Sequence, residues 1–314
     1  MISRDNRAQR NGSHQDRSIN LLSWNINDIK DKVLGLKTAS LEFLAQLDGQ
    51  DIFCLQETKE DVKIPLFKCY NKLRGDSRSG GLCIGVRREI DHLVQLMDTE
   101  HYHDIMAIRI SAEILGVEVI LVNVYDSPEN SSYKIRRRNE GHFKDTMEEL
   151  SGFLSSLTCG TPYMIVGDMN ARISNHCEPP RSNNNTIDDL IDGSFKSKSY
   201  MTQARNSEDS MINDRGKKLL DFVSEADLRI LNGSTLGDIF GRYTCLQYNG
   251  SSVVDYMMVS NAITTKVTHL KVLDFTNISD HRPITCQLLC TQWFKSHEPM
   301  AKYAEQPPKY SWDK

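Results

Sequence analysis

Short apolar runs of strand length recur along the chain, and turn residues separate them. Their length and their β-branched content predict β-strands at Ile19–Trp24, Asp51–Gln56, Gly81–Val86, Ile105–Ile110, Val117–Tyr125, Tyr163–Val166, Leu228–Leu231, Val253–Val259, Val267–Leu273 and Pro283–Leu289. Helical spacing occupies Leu36–Leu47, Ile135–Leu157 and Lys217–Leu228, the last with Asn213 or Asp214 as its candidate N-cap. Because strands and helices do not alternate strictly, two packed sheets with helices outside are favoured over one parallel sheet.

Polar side chains follow many of these apolar runs at the point where each run ends. The stretch PYMIVGDMNAR places Asp168 and Asn170 just beyond a buried strand. Residues i and i+2 leave a strand on the same face, so we expect the two heads to share one space. Asp255 differs from the others because it lies inside an apolar run, where a carboxylate must be buried and must have a partner. The remaining polar or aromatic strand ends are Asn25, Asn27, Glu57, Tyr125, Asp280 and His281.

Composition and charge restrict the class of protein. The 314 residues, 39% hydrophobic and 25% charged, are enough for one large core or two ordinary ones. The formal charge of −4 is not that of a protein that holds nucleic acid by phosphate contacts alone. A phosphodiester substrate would therefore need a metal ion or a confined basic patch.

The chain has no apolar run near the roughly 18 residues that a membrane span requires, so no membrane association is expected. Its eight cysteines are scattered without a C-x-x-C pair, and the polar N-terminus is no secretory signal. We therefore expect a reducing compartment and no secretion.

Three segments lack periodicity. We predict that residues 1–18 are a disordered leader, that residues 174–210 form a surface excursion rich in Ser, Asn and Asp, and that residues 291–314 are a linker. One catalytic domain is expected between them, over residues 19–290.

In order and in neighbouring residues, the motifs SWNIN, QET, GDMNA, VDY and SDHRPI resemble those of the endonuclease/exonuclease/phosphatase superfamily. That group includes AP endonucleases, pancreatic-type DNases, inositol polyphosphate 5-phosphatases and neutral sphingomyelinases. The expected fold is α/β, a four-layer α-β-β-α sandwich of two mixed, mainly antiparallel sheets flanked by helices.

The resemblance implies a metal ion that helps to neutralise the charge of a phosphoryl group. Mg²⁺ is expected, with Mn²⁺ as a substitute, since Mg²⁺ prefers a few carboxylates completed by water or phosphate. Glu57 is the implied metal carboxylate, and Asn27 and Asp280 are further candidates. Asn27 stands where AP endonucleases often carry Asp, which removes one possible charge from the site.

The resemblance also implies roles for the other strand-end residues. Asp168 is the acceptor that orients the attacking water, and Asn25 holds Asp168. Asp255 holds one ring nitrogen of His281. The side chains expected to donate hydrogen bonds to phosphate oxygens are Asn170, Tyr125 and His281. A serine-hydrolase triad is disfavoured because no G-x-S-x-G elbow is present.

One position separates the branches of the superfamily. Ser252 stands where abasic-site enzymes usually carry an aromatic residue, three positions before the aspartate of VDY. With phrases such as NDRGKKLLDF, it resembles the endonuclease domains of non-LTR retrotransposons. A hairpin with a type I′ turn at Asn249-Gly250 is predicted between Thr244–Tyr248 and Ser251–Asp255. It is either a structural hairpin or a DNA-groove probe, with candidate contacts at Thr244, Tyr248, Asn249 and Ser252.

A basic cluster, KIRRRNEGHFK, begins at Lys134. It is either a solvated helix face or a phosphate-contacting ridge formed by Arg136, Arg137 and Arg138.

The predicted function is a Mg²⁺-dependent endonuclease that nicks one strand of duplex DNA, leaving a 3′-hydroxyl and a 5′-phosphate. The 3′-hydroxyl would prime target-site reverse transcription by a fused reverse transcriptase, in the nucleus or in the cytoplasm before import. The alternatives are an AP-site repair endonuclease, an inositol polyphosphate phosphatase, and a catalytically dead DNA- or protein-binding module.

Overall fold

The computed structural model describes residues 18–31, 35–75, 79–176, 200–202, 204–291 and 299–304. Nearly all of the predicted leader, and most of the predicted surface excursion and linker, lie outside the described residues. The strands are β1 Ser18–Asn25, β2 Lys30–Asp31, β3 Gly35–Leu36, β4 Ile52–Gln56, β5 Phe67–Lys72, β6 Leu82–Arg87, β7 Val94–Leu96, β8 Ile105–Ile110, β9 Val119–Tyr125, β10 Tyr163–Asp168, β11 Leu228–Ile230, β12 Cys245–Gln247, β13 Gly250–Ser252, β14 Asp255–Ser260, β15 Val267–Val272 and β16 Ile284–Leu289. The helices are α1 Leu41–Gln46, α2 Ala112–Leu115, α3 Ser132–Asn139, α4 Thr146–Ser156 and α5 Asp214–Glu225, with 3₁₀ turns at Lys37–Ala39, Asp91–Leu93, Asn261–Lys266 and Met300–Tyr303.

Two large sheets form the centre of the molecule. The first has the order β15-β16-β1-β4-β6-β5, and the second has the order β11-β14-β10-β9-β8-β7. In each sheet the central pair is parallel, β1 with β4 and β9 with β10, and the other pairs are antiparallel. The prediction of two mixed, mainly antiparallel sheets is confirmed.

The sheets pack face to face through a cluster of buried apolar side chains that includes Leu121, Met164 and Cys286. Burial of such surface, at roughly 25 cal/mol per Å², is the main force that holds the layers together. A polar bridge crosses between the sheets: the buried Gln56 Nε2 donates to Asn123 Oδ1 at 2.7 Å. The two sheets are therefore joined by apolar contact and by at least one buried hydrogen bond.

Helices cover both outer faces. α4 and α5 place Phe153 and Phe222 against the second sheet, and α1 places Phe43 against the first. The four-layer α-β-β-α sandwich is thus confirmed. Met300 is completely buried in the same cluster as Phe43, so part of the segment predicted to be linker packs on the domain.

Some elements differ from the sequence prediction. The helical spacing of Ile135–Leu157 belongs to two helices, because Gly141, with φ of +70°, follows the end of α3 and Asp145 caps the start of α4. β5 and β7 were not predicted, since most of their residues are polar or exposed. α5 has the predicted N-cap, with Asn213 accepting from the backbone N–H of Gly216. Among the described residues, no helix is long and apolar enough to cross a bilayer.

Candidate active site

The sheet topology carries the strand-end residues to one edge of the sandwich. The parallel pairs β1/β4 and β9/β10 all end there, and their antiparallel neighbours β16 and β14 begin there. Asp168 lies directly between Tyr125 on β9 and Asp255 on β14. Asn25 ends β1, and His281 lies just before β16. Residues that are up to 256 positions apart in sequence therefore share one site.

The side-chain amide of Asn25 joins two carboxylates from different sheets. Its Nδ2 donates to Glu57 Oε1 and to Asp168 Oδ2, each at 2.9 Å. Its Oδ1 accepts from the backbone N–H of Asn27 at 2.9 Å. Asn25 is completely buried, and its bond to Asp168 is buried as well, whereas its bonds to Glu57 and Asn27 are partly open to solvent. The predicted contact between Asn25 and Asp168 is present.

Asp168 and Asn170 meet through a turn and not through the pleat of a strand. β10 ends at Asp168, and Asn170 has φ of +45°, so the i, i+2 argument from strand geometry was wrong. The Asn170 backbone N–H donates to Asp168 Oδ1 at 2.9 Å. Its Nδ2 donates to Asp126 O at 2.8 Å and to Asp168 Oδ2 at 3.1 Å. The amide must therefore exchange one of these partners before it donates to a phosphate.

A buried ionic network holds the backbone behind Asn170. Asp126 is completely buried, and its carboxylate pairs with Lys134 at 2.8 Å and with Arg215. Arg215 also donates to both oxygens of Asp145 at 2.9 and 2.7 Å. Burial alone would raise the pKa of Asp145, but hydrogen bonds from Arg215 and Lys218 lower it to about 2. No sequence pattern indicates this network, because Arg215 and Asp126 lie 89 residues apart.

His281 is held on its Nδ1 side by Asp255. The two carboxylate oxygens lie 3.0 and 2.9 Å from Nδ1, and both side chains are buried. Burial alone would lower the pKa of His281, but the adjacent Asp255 outweighs it and raises that pKa well above its usual value. The indole N–H of Trp24 donates to the backbone oxygen of His281 at 2.8 Å and fixes the position of its backbone.

Asp168 lies on the other side of the imidazole. Its Oδ2 is 4.0 Å from His281 Nε2. Burial, with the repulsion of Asp255, raises the pKa of Asp168 to about 8. The pocket thus holds a carboxyl group that can accept a proton near neutral pH beside an imidazole that can donate one.

Tyr125 is buried at the edge of the same pocket. Burial, together with Glu57 and Asp168, raises the pKa of its hydroxyl well above the usual value, so the hydroxyl remains a donor. Arg74 lies 5.1 Å from the Tyr125 ring centre and is held by Asp104 at 2.7 Å and by Ser127 Oγ at 2.7 Å. Sequence reasoning missed Arg74, because it follows β5, which was not predicted as a strand.

Glu57, Asn27 and Asp280 form the open rim of the pocket. Glu57 and Asn27 have φ of +54° and +44°, and the backbone pairing of β1 with β4 continues beyond both strands through the bond from Asp28 N to Glu57 O at 2.8 Å. Asn27 Nδ2 donates to Asp280 Oδ1 at 3.2 Å. Carboxylate and amide oxygens fit a hard divalent cation.

One of the residues predicted to hold the metal, Asp280, belongs to a compact group of potential ligands, together with residues that were not predicted as ligands. Within the described part of the chain, two groups of His, Cys, Asp or Glu side chains bring three ligand atoms within 4.8 Å of one another: Cys245 with Asp280 and His281, and Asp168 with Asp255 and His281. Glu57 belongs to neither group. The site therefore contains an acidic cluster that can hold a divalent cation, whereas a cation on Glu57 would take other ligands from water or substrate.

A polar groove of about 450 Å³ adjoins the pocket. Asn170 and His281 line its inner end, and the β12–β13 hairpin lines its outer side. Arg172 also lines it, with Nε and Nη2 bound to Asp209 at 2.8 and 2.6 Å and a side chain that is 30% exposed. Arg172 was not predicted, although it stands two residues after Asn170 in GDMNAR. Its guanidinium, held in position by Asp209, can donate hydrogen bonds into the groove.

The predicted hairpin is present, but its turn is different. The central residues are Tyr248 and Asn249, neither of which has positive φ, and Gly250 has φ of +138°. The type I′ prediction was therefore wrong, since that turn needs two central residues with positive φ. Tyr248 is fully exposed, and Asn249 and Ser252 line the groove.

Thr244 is not available as a DNA contact. It is completely buried, and its Oγ1 accepts from the backbone N–H groups of Val254 and Asp255 at 3.1 Å each. The prediction that Thr244 contacts DNA was therefore wrong, because its hydroxyl fixes the start of β14 from inside the protein.

The three arginines of the basic cluster lie on α3, each partly exposed, and already have intramolecular contacts. Arg136 lies 4.0 Å from Glu140, Arg137 Nη2 lies 2.7 Å from His103 Nε2, and Arg138 pairs with Glu129. Two of the three charges therefore lie beside carboxylates. Whether they contact a phosphate backbone stays a prediction.

Known proteins share this architecture. The AP endonuclease LMAP from Leishmania major is 12% identical over 87% of this chain and 88% of its own, with a TM-score of 0.61. The endonuclease domain of TRAS1, a telomere-specific non-LTR retrotransposon, is 15% identical over 86% and 98%, with a TM-score of 0.54. The 3′ phosphatase NExo from Neisseria, bound to its product DNA hairpin, is 17% identical over 86% and 99%, with a TM-score of 0.50.

At these identities the likeness establishes a shared fold. No curated protein sequence matches the chain. The family model for the endonuclease/exonuclease/phosphatase family matches residues 22–281, a range that begins in β1 and includes every residue placed in the pocket above. The chain therefore belongs to the endonuclease/exonuclease/phosphatase family.

Proposed function

We propose that the chain is a Mg²⁺-dependent endonuclease that nicks one strand of duplex DNA and leaves a 3′-hydroxyl and a 5′-phosphate. The observation that carries this proposal is the double contact of Asn25, whose amide binds both Glu57 and Asp168 at 2.9 Å. In this proposal Glu57 is the carboxylate that holds the metal, and Asp168 beside it is the carboxylate that orients water. His281, with Nε2 at 4.0 Å from Asp168, completes a site for one phosphodiester.

The residues fit a hard divalent cation on the rim of the pocket. Glu57, with Asn27 and Asp280, would hold it through oxygen atoms, and Mn²⁺ is expected to substitute for Mg²⁺. When bound, the cation supplies positive charge against the phosphoryl oxygens.

The side chains of the pocket then account for the hydrolysis. Asp168 accepts a proton from the attacking water, and its raised pKa, about 8, suits that role. The water oxygen bonds to phosphorus as the bond from phosphorus to the 3′ oxygen breaks, and the 3′ oxygen takes a proton from a solvent water molecule to leave as a hydroxyl. His281 and Tyr125 donate to the phosphoryl oxygens, and Asn170 does so once it releases one of its present partners.

A supercoiled plasmid tests this function. We expect conversion to open circles with Mg²⁺, and none with EDTA or with Asp168→Ala. Asp238→Asn is the matched control, since Asp238 is also a buried carboxylate but accepts from the backbone N–H groups of Gly233 and Arg242. Extension of the nick by a polymerase without phosphatase treatment would identify the 3′-hydroxyl. Wild-type nicking by Asp168→Ala would refute the assignment.

The biological role that we propose is target-site priming in a non-LTR retrotransposon, in the nucleus, with a reverse transcriptase fused in the full-length protein. Ser252, the NDRGKKLLDF phrase and the fold shared with the TRAS1 endonuclease domain support it. A coding sequence that continues beyond Lys314 into a reverse transcriptase would test it directly, and a stop codon there would count against it.

An AP-site repair endonuclease is the second candidate, because the LMAP structure has the same fold. Ser252 argues against it, since it leaves the groove without the aromatic residue expected to pack on a base-free sugar. Turnover on intact plasmid, on an abasic duplex and on an inositol polyphosphate separates the endonuclease from this candidate and from a phosphatase. DNA binding without any cleavage would instead indicate a catalytically dead binding module.

The basic cluster has its own test. Charge reversal of Arg136, Arg137 and Arg138 to Glu should weaken DNA binding and flatten its dependence on salt, since each lost phosphate contact lowers the slope by about 0.9. An unchanged salt slope would show that α3 does not touch the DNA backbone.

A further inference from the structure

The thiol of Cys245 lies beside the catalytic imidazole. Cys245 and His281 face each other in an isolated antiparallel bridge, and Leu246 N donates to Asp280 O at 2.8 Å, which fixes the hairpin against this segment. The ligand atoms of Cys245, Asp280 and His281 all lie within 4.8 Å of one another. Cys245 and His281 are buried, Asp280 is partly exposed, and the groove gives an ion access to both buried groups.

We propose that Cys245, Asp280 and His281 form a binding site for a thiophilic divalent cation, with Zn²⁺ as the best match. Thiolate, imidazole and carboxylate together are the ligands that zinc takes in proteins, usually with tetrahedral geometry. Metal–ligand bonds of about 2.0–2.3 Å place tetrahedral ligands roughly 3.3–3.7 Å apart. Since the three ligand atoms lie within 4.8 Å of one another, they must close by no more than about 1.5 Å. The thiol proton leaves to solvent as the metal–sulfur bond forms, and water fills the fourth position.

The surroundings already orient two of the three ligands. Asp255 holds Nδ1 of His281 at 3.0 and 2.9 Å, which leaves Nε2 for a metal, and a carboxylate behind a ligating histidine is a common arrangement at zinc sites. Asn27 Nδ2 and Gln247 Nε2 donate to the two oxygens of Asp280 at 3.2 and 3.4 Å. The Cys245 thiol lies within 4.8 Å of both of these ligands.

This site shares Asp280 with the rim site at Glu57 and differs from it chemically in its other ligands, the thiol and the imidazole. A rim of carboxylate and amide oxygens suits Mg²⁺, which has little affinity for sulfur, whereas a thiolate selects softer ions. Occupation by Zn²⁺ would take the Nε2 position that His281 needs for the phosphate. If the proposed endonuclease function is correct, Zn²⁺ therefore inhibits nicking even when Mg²⁺ is abundant.

Cobalt binding tests the site without any substrate. The full chain is titrated with Co²⁺ in Mg²⁺-free buffer, and the sulfur-to-cobalt charge-transfer band in the near ultraviolet is followed. We expect the band in the wild type and in Cys159→Ser, which removes an exposed cysteine. In Cys245→Ser the band should be lost. An unchanged band in Cys245→Ser would overturn the proposal.

Inhibition provides the second arm. At fixed Mg²⁺, the Zn²⁺ concentration that halves nicking should rise by at least about tenfold in Cys245→Ser relative to wild type and to Cys159→Ser. Equal inhibition of all three proteins would reject the site as the inhibitory one. The cobalt titration does not require DNA cleavage. If the metal site is correct but the proposed function is wrong, the cobalt band still appears and depends on Cys245, although no nicking is seen. An unchanged melting temperature for Cys245→Ser confirms that the variant is folded.

Discussion

Replacement of Asp255 by Asn should reduce turnover without loss of DNA binding. In the wild type, both oxygens of Asp255 lie within 3.0 Å of His281 Nδ1, and both side chains are buried. Hydrogen bonds that involve a charged group contribute about 1.5–3 kcal/mol each. The amide can still accept from Nδ1–H, but it no longer stabilises a protonated imidazole. We expect a loss of about 2–3 kcal/mol of transition-state stabilisation, which corresponds to a decrease in kcat of roughly 30- to 150-fold.

The assay is single-turnover nicking of a labelled duplex at saturating enzyme, with affinity measured separately in Ca²⁺. Because His281 acts on the phosphate mainly in the transition state, the dissociation constant should change by less than about threefold while the rate falls. Asp238→Asn is again the control for the removal of a buried carboxylate. Its rate should match the wild type even if its melting temperature is lower.

Two results would refute this reasoning. The first is a wild-type rate for Asp255→Asn, which would mean that the pair does not support His281 in catalysis. The second is a rate that falls only in proportion to the folded fraction, which would make Asp255 a structural residue.

Three further predictions concern the surroundings of the site. Arg172→Gln should raise KM for DNA with little change in kcat. It should also lower the slope of log affinity against log salt concentration by about 0.9, which titrations at several salt concentrations would test. An unchanged slope would exclude a phosphate contact. Gly167 has φ of +139°, and in Gly167→Ala the new Cβ would lie 1.9 Å from Val124 O. We expect a lower melting temperature and loss of activity, because β9 and β10 must separate. A wild-type melting temperature and activity would contradict this packing of the two strands. Asp145→Asn should destabilise the fold by about 2 kcal/mol at pH 7, because hydrogen bonds from Arg215 outweigh burial and lower the pKa of Asp145 to about 2. That contribution is present above the unfolded pKa, near 3.8, and is lost as pH falls through about 2. The free energies of unfolding of wild type and variant, measured in urea, should therefore converge in acid. A difference that stays constant with pH would refute the prediction.

The sequence predicts central elements better than peripheral ones, for a physical reason. β4 and β9 are buried on both faces, so their own residues are apolar and mark them as strands. β5 is a polar edge strand whose stability comes from its hydrogen bonds to β6, and this contribution has no local signal.

Some features of the candidate site could likewise be predicted from the sequence, and others could not. Asp255 could be predicted to have a partner because an unpaired buried carboxylate is too costly. Arg74 and Arg215 could not be predicted, since each depends on carboxylates that only the fold brings near, 30 and 89 residues away. The turn at Asn170 was hidden because left-handed backbone at an asparagine has no periodic pattern.

The amide of Asn25 and the bridge from Gln56 to Asn123 span the interface between the two sheets, and the pocket draws its groups from both layers. The rate of turnover therefore depends on the relative position of the two sheets, because a displacement of about 1 Å between reacting groups can lower the rate roughly a hundredfold. If warming lets one sheet slide against the other, activity should be lost while the far-ultraviolet circular dichroism spectrum is still that of the native protein. Inactivation by heat would then result from movement of the two sheets against each other, at a temperature several degrees below that of cooperative unfolding.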